Sequence, residues 1–196
     1  MFRRVKILLV LFAALSPLTA CETTVPDRTF ANLTYGNLPR IRLNAGAVKV
    51  VSKFRSPMKA PNVEFNFPTP PEKALKQWAG DRLKAVGRSG SARFTIIDAR
   101  ALETPLKMEK GLKRIFTYQQ SHRYDVTVEA ILEIFDDSGK RLGYATASAR
   151  RSTTVSEDAT LNKREMLWQD MTEKIMNDFN ETFEKKIREH LKRWIK

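Results

Sequence analysis

The chain has 196 residues, with 35 Lys and Arg against 22 Asp and Glu, a formal net charge of +13, two His and one Cys. That length is enough for one domain whose core needs no covalent help. A lone cysteine excludes an internal disulfide and a cysteine-based metal centre, and the basic balance calls for a negatively charged neighbourhood.

Arg3, Arg4 and Lys6 precede an apolar run from Ile7 to Ala14. The run is shorter than the roughly 20 residues a spanning helix needs. Ser16-Pro17 break it, and Leu18-Thr19-Ala20-Cys21 follow. A basic start, a short apolar stretch and small residues before a cut describe a secretory signal peptide. Leu18-Thr19-Ala20-Cys21 resembles the signal of bacterial lipoproteins, in which the cysteine is acylated and the chain is cut just before it. The resemblance implies that residues 1–20 are removed, that Cys21 is the lipid attachment site, and that the mature chain is anchored in the cell envelope facing the periplasm. Glu22, where the family's inner-membrane members carry Asp, favours the outer membrane. Loss of the three leading cations leaves 32 basic residues against 22 acidic ones, a net charge of +10. Behind an export signal the polyanions at hand are lipid head groups, lipopolysaccharide phosphates and cell-wall polymers rather than nucleic acid.

Residues 21–39, rich in Thr, Asn and Pro without periodicity, are expected to be a flexible tether, and residues 40–196 a single domain. Ile41, Leu43 and Ala45 alternate with polar residues as a half-buried strand does, and a change of parity past Gly46 predicts a bulge. Residues 55–71 hold five prolines and are expected to be irregular. Thr69 is placed to cap a helix carrying Leu75, Trp78, Ala79, Leu83 and Val86 on one face, with Gly87 ending it. A second strand is expected from about Ala92 to Leu102. A third, from Tyr124 to Ile134, alternates cleanly, and Asp136-Asp137-Ser138-Gly139 reads as a turn. The fourth, from Leu142 to Val155, sets Gly143, Ala145, Ala147 and Ala149 on one face, small enough for a helix to come close. A helix over about 163–194 completes the chain, with Asn162 and Glu165 as a capping box. The order β-α-β-β-β-α predicts an α+β two-layer sandwich, a mostly antiparallel sheet with helices on one face.

No triad, P-loop, dinucleotide or zinc signature occurs. Neither His122 nor His190 has neighbours at metal-ligand spacing, so no metal, cofactor or enzymatic activity is expected. Glu129 and Glu133 read as solvated positions on the polar face of the third strand. Candidate binding residues fall in three segments, one of them the proline-rich stretch, whose Phe65 and Phe67 either cover the end of the sheet or present a docking site. The connection from Glu103 to Arg123 interleaves Lys107, Lys110, Lys113 and Arg114 with large apolar groups such as Phe116. The end of the last helix carries Lys185, Lys186, Arg188, Lys192 and Arg193, with Trp194 at the close of its apolar stripe, a composition that suits the surface of a membrane.

Residues 61–65 (PNVEF) and Arg123-Tyr124-Asp125 are similar to stretches of a family of bacterial lipoproteins that brings no activity with it. The element order resembles that of auxiliary lipoproteins of envelope transport machines. These resemblances imply a non-catalytic envelope lipoprotein, an accessory or binding subunit for a protein partner or an anionic glycolipid. The alternative is a structural lipoprotein contacting cell-wall polymer through its basic surface, and after it an enzyme acting on envelope polymers.

Overall fold

The parity change at Gly46 marks a change of sheet, not a bulge. A computed structural model describes residues 30–107 and 119–196. In it β1 (Ile41–Leu43) and β2 (Ala47–Ser52) take different partners. β1 pairs in parallel with β3 (Leu83–Ala85), while β2 pairs in parallel with β4 (Ser91–Asp98). The expected second strand is likewise two, β4 and β5 (Ala101–Pro105), because the register slips between Ile96 and Asp98. β4 and β5 both run antiparallel to β6 (Gln120–Phe135), one beside each half of it. β7 (Arg141–Ser156) returns along the whole length of β6 on its other side. The turn between them is the expected one. Asp136 Oδ1 accepts from the backbone N–H groups of Ser138 and Lys140, and Gly139 takes φ +82°.

Two helices, α1 (Pro71–Arg82) and α2 (Leu161–His190), cover one face of this five-stranded sheet. The α+β two-layer architecture is the expected one. Alternation on β6 puts Tyr124, Val126, Val128, Ala130, Leu132 and Ile134 on the helix side, all buried. Trp78 of α1 ties the layers together: its ring lies 5.5 Å from Phe94 of β4, 5.5 Å from Phe179 and 5.4 Å from Phe183 of α2. Its indole N–H donates to Asn180 at 2.8 Å, so the burial of the polar edge is compensated. Ala145 and Ala147 of β7 are buried, and α2 packs closely over them.

Several local expectations change. α1 stops at Arg82, because Leu83 and Lys84 find strand partners in β1. Pro70, not Thr69, precedes the helix; the Thr69 carbonyl accepts from the Thr172 hydroxyl at 3.0 Å. Thr160 caps α2 by accepting from the Lys163 N–H at 3.2 Å, in place of an Asn162–Glu165 box. α2 ends at His190, short of residue 194, and Lys192–Trp194 form one 3-10 turn. Ile195 then bridges antiparallel to Leu43. In the proline-rich segment Phe67 is buried and stacked on Trp168, ring centroids 5.4 Å apart and planes 11° from parallel, while Phe65 is exposed. Residues 33–38, expected within a tether, lie against the domain: Tyr35 is buried, and its N–H donates to Asp81 at 2.8 Å. Glu133 is not solvated. It is buried between Arg93 at 3.0 Å and Arg141 at 3.1 Å.

Candidate anion-binding face

The acidic residues of this chain are unevenly placed. Residues 28–63, 82–97 and 190–196 contain no Asp or Glu. Pairing of β1 with β3 and the return of the C-terminal segment bring these three stretches together. Arg42 and Lys84 stand opposite one another in the β1–β3 register. Alternation buries Ile41, Leu43 and Leu83 on the core side and leaves Arg42 and Lys84 exposed on the other. The far edge of β1 receives the C-terminus: Asn44 N–H donates to the Trp194 carbonyl at 2.7 Å, and Lys196 N–H to the Arg42 carbonyl at 2.9 Å. The loop after β3 closes against Gly46 through hydrogen bonds to the Ser89 and Gly90 carbonyls. Gly87 is required there, since a Cβ would stand 2.6 Å from the Ala45 nitrogen.

Around the Arg42–Lys84 pair are Arg40, Arg88, Lys192, Arg193 and Lys196, all exposed. None of these cations has an ion-pair partner among the described residues. The pairs lie elsewhere, as in Arg93–Glu133–Arg141, Arg82–Glu184–Arg188 and Arg151–Asp178. Like charges directly opposite in a sheet repel. With no acid in the same segments to offset them, the cations concentrate a positive potential that attracts anions.

The expected binding residues separate. Lys192 and Arg193 belong to this face. Lys185 is exposed on α2 beside it. Lys186 pairs with Glu189 at 3.4 Å, and Arg188 with Glu184 at 2.6 Å, so both are tied to carboxylates. Trp194 is half-buried, with its ring against Gly143, where a Cβ would stand 2.8 Å from the ring. Its ring is thus held against β7 by packing. Lys107 is exposed. Lys110, Lys113, Arg114, Phe116 and Cys21 lie outside the described residues. Arg40, Arg42, Lys84 and Arg88 were not picked out from sequence; the signal that could have found them is the absence of Asp and Glu over 28–63 and 82–97.

Other polar side chains make contacts within the fold. The Tyr124 hydroxyl donates to Glu103 at 2.7 Å and accepts from Arg164 at 2.6 Å, joining β6, β5 and α2. Burial, reinforced by Glu103, pushes its pKa up to about 12. His122 Nδ1 lies 2.9 Å from the Ser121 hydroxyl, and His190 is exposed beside Glu189. Among the described residues no group of three or more His, Cys, Asp and Glu is placed to hold a metal ion, and no helix is long and apolar enough to cross a membrane.

No family model and no curated protein matches the chain. Among solved structures, the rare lipoprotein B from Shewanella oneidensis shows a likeness at 12% identity and a TM-score of 0.29, over 69% of this chain and 95% of that one.

Proposed function

We propose that this chain is a non-catalytic bacterial envelope lipoprotein, anchored through acylated Cys21, that binds the phosphates of an anionic glycolipid as an accessory subunit in envelope transport or assembly. The observation that carries the reading is the cation face around Arg42 and Lys84, assembled from three acid-free segments and left without carboxylate partners. The leader residues 18–21 support the anchor. From Cys21 to Phe30, nine residues at about 3.4 Å each span at most ~30 Å, which keeps the domain close to the bilayer. Glu22 favours the outer membrane, and the domain faces the periplasm.

Two experiments test this. Cys21→Ala is expected to lose acylation and to leave the membrane or persist with an uncleaved leader; processing and fractionation like the wild type would overturn the anchor. Unacylated protein lacking residues 1–21 is expected to sediment with phosphatidylcholine vesicles only when they also contain lipopolysaccharide, since the acylated chain would insert into either kind. The Arg42→Glu/Lys84→Glu double variant is expected to stay in the supernatant. Retention of the double variant on lipopolysaccharide vesicles would remove the face from the reading, and capture by purified cell-wall polymer alone would favour the structural-lipoprotein reading.

A further inference from the structure

The five-stranded sheet leaves one long edge open among the described residues. β5 is backed by residues 61–63: Glu103 N–H donates to the Pro61 carbonyl at 2.8 Å, and Val63 N–H to the Ala101 carbonyl at 2.9 Å. β2, the outer strand beside β4, is short. β7 is 16 residues long, pairs with β6 on one side and has no strand on the other. Proteins ordinarily blunt such an edge with charge, proline, a bulge or brevity. From Gly143 to Ala149 none of these devices is present: the stretch reads GYATASA and pairs with β6 without a shift, between a bulge at Leu142 and the charge of Arg150.

A groove of about 450 Å³ runs along this uncharged stretch, lined by Gly143, Tyr144, Ala145, Thr146, Lys186 and His190. Successive strand residues point to opposite faces. Four consecutive ones can therefore line one groove only along the strand's edge, where the backbone N–H and C=O groups are presented. α2 forms the opposite wall through Lys186 and His190. The wall is basic. Lys186 is held only by an exposed pair with Glu189, an interaction of little energy that an incoming carboxylate can replace. His190 also lines the adjoining depression, together with Lys192, Arg193, Trp194 and one carboxylate, Glu189, so cations outnumber acids there.

We propose that the β7 edge over Gly143–Thr146 takes up an extended acidic segment of a partner protein as a further strand. The backbone of the guest pairs with β7, and every second side chain of the guest, a carboxylate, meets Lys186 and His190. Main-chain hydrogen bonds supply affinity and the alternate side chains supply selectivity, as in other cases of strand addition. Lys192 and Arg193 border both this groove and the Arg42–Lys84 face, so the two assignments are told apart by variants at Arg42 and Lys84, which do not line the groove.

The test uses the full-length protein in mild detergent and a labelled decapeptide of alternating Glu and Val. Hydrogen exchange is expected to slow at least tenfold over residues 142–149 and nowhere near residues 40–44. Peptide affinity is expected to fall at least tenfold in Lys186→Glu/His190→Glu and to be unchanged in Arg42→Glu/Lys84→Glu. A Lys-Val decapeptide is expected not to bind. Absence of protection at millimolar peptide overturns the proposal, as does protection that falls at residues 192–196 alone. Protection of 142–149 that rises with protein concentration without peptide assigns the edge to a second copy of the chain and also overturns it.

Discussion

Arg42 and Lys84 face each other across a two-stranded parallel sheet, with the backbone of Lys196 hydrogen-bonded to Arg42. Two cations in register, with no carboxylate supplied by either strand, weaken the sheet that carries them. Cross-strand pairs are worth about 0.2–1 kcal/mol. Lys84→Glu is therefore expected to stabilise the fold by about 0.5 kcal/mol in low salt, and to reduce binding to lipopolysaccharide vesicles. Thermal unfolding and sedimentation of the same sample read both effects. A variant that is less stable and binds as before would contradict the account.

The Arg82 guanidinium is wholly buried in α1, and its charge is met by Glu184 of α2. Removing one member of such a pair leaves a buried charge uncompensated. Glu184→Ala is expected to cost about 3 kcal/mol, at the low end for a buried pair because Glu184 is itself partly exposed. The Arg82→Met/Glu184→Ala double variant is expected to recover at least half of that loss. Urea unfolding midpoints decide the matter, and additive losses would show that the two groups do not act as a pair.

Burial alone would raise the Glu133 carboxyl, but hydrogen bonds and charge from Arg141 and Arg93 outweigh it and hold its pKa below the usual value. Glu184 follows the same pattern, burial being outweighed by Arg188 and Arg82. A carboxylate depressed in the folded state contributes stability that is present above its unfolded pKa of about 4.3 and lost as pH falls through the folded value. Stability is therefore expected to be level from pH 7 to about 5 and to decline below that. In Glu133→Gln the acid decline should be shallower; an unchanged slope would show that Glu133 does not contribute to it.

Gly143 lies under the Trp194 ring and 3.1 Å, by its missing Cβ, from Leu191. Gly143→Val is expected to lever the C-terminal segment away from β1, at a cost of about 1–3 kcal/mol for overpacking. The Trp194 environment should become more polar, visible as a red shift in fluorescence relative to a Trp194→Phe control. An unshifted spectrum with normal stability would mean that the segment accommodates the side chain in place.

Phe67 against Trp168 fastens the proline-rich segment over the start of α2. Phe67→Ala is expected to cost about 3–5 kcal/mol, as for other buried aromatic truncations. Phe65→Ala, on the exposed neighbour, should change stability by less than about 0.5 kcal/mol. Equal effects at the two positions would refute the assignment of Phe67 alone to the core.

β6 was legible because alternation is a local property: side chains two apart share a face whatever the rest of the chain does. The apolar stripe of α2, from Trp168 to Ile187, was legible for the same reason at helical period, and so was the set of small residues on β7. The last turn of α1 was not. Leu83 fits a helical stripe as well as a strand, and it became a strand because β1, some 40 residues earlier, offered its edge. Glu133 reads as a polar-face position; only its register with Arg93 and the proximity of Arg141 bury it. Trp194 reads as the aromatic end of an amphipathic helix, and only the free edge of β1 turns it into a packing residue.

By itself, the sequence determined which residues turn inward within each segment and which segments lack acidic groups, because backbone geometry and composition are local. Only the tertiary structure decided that β1 and β2 enter different sheets, that three acid-free segments share one face, and that β7 keeps an open edge beside Lys186. Those outcomes depend on which backbone donors and acceptors meet over long separations, and a hydrophobic pattern does not specify the partner of a hydrogen bond.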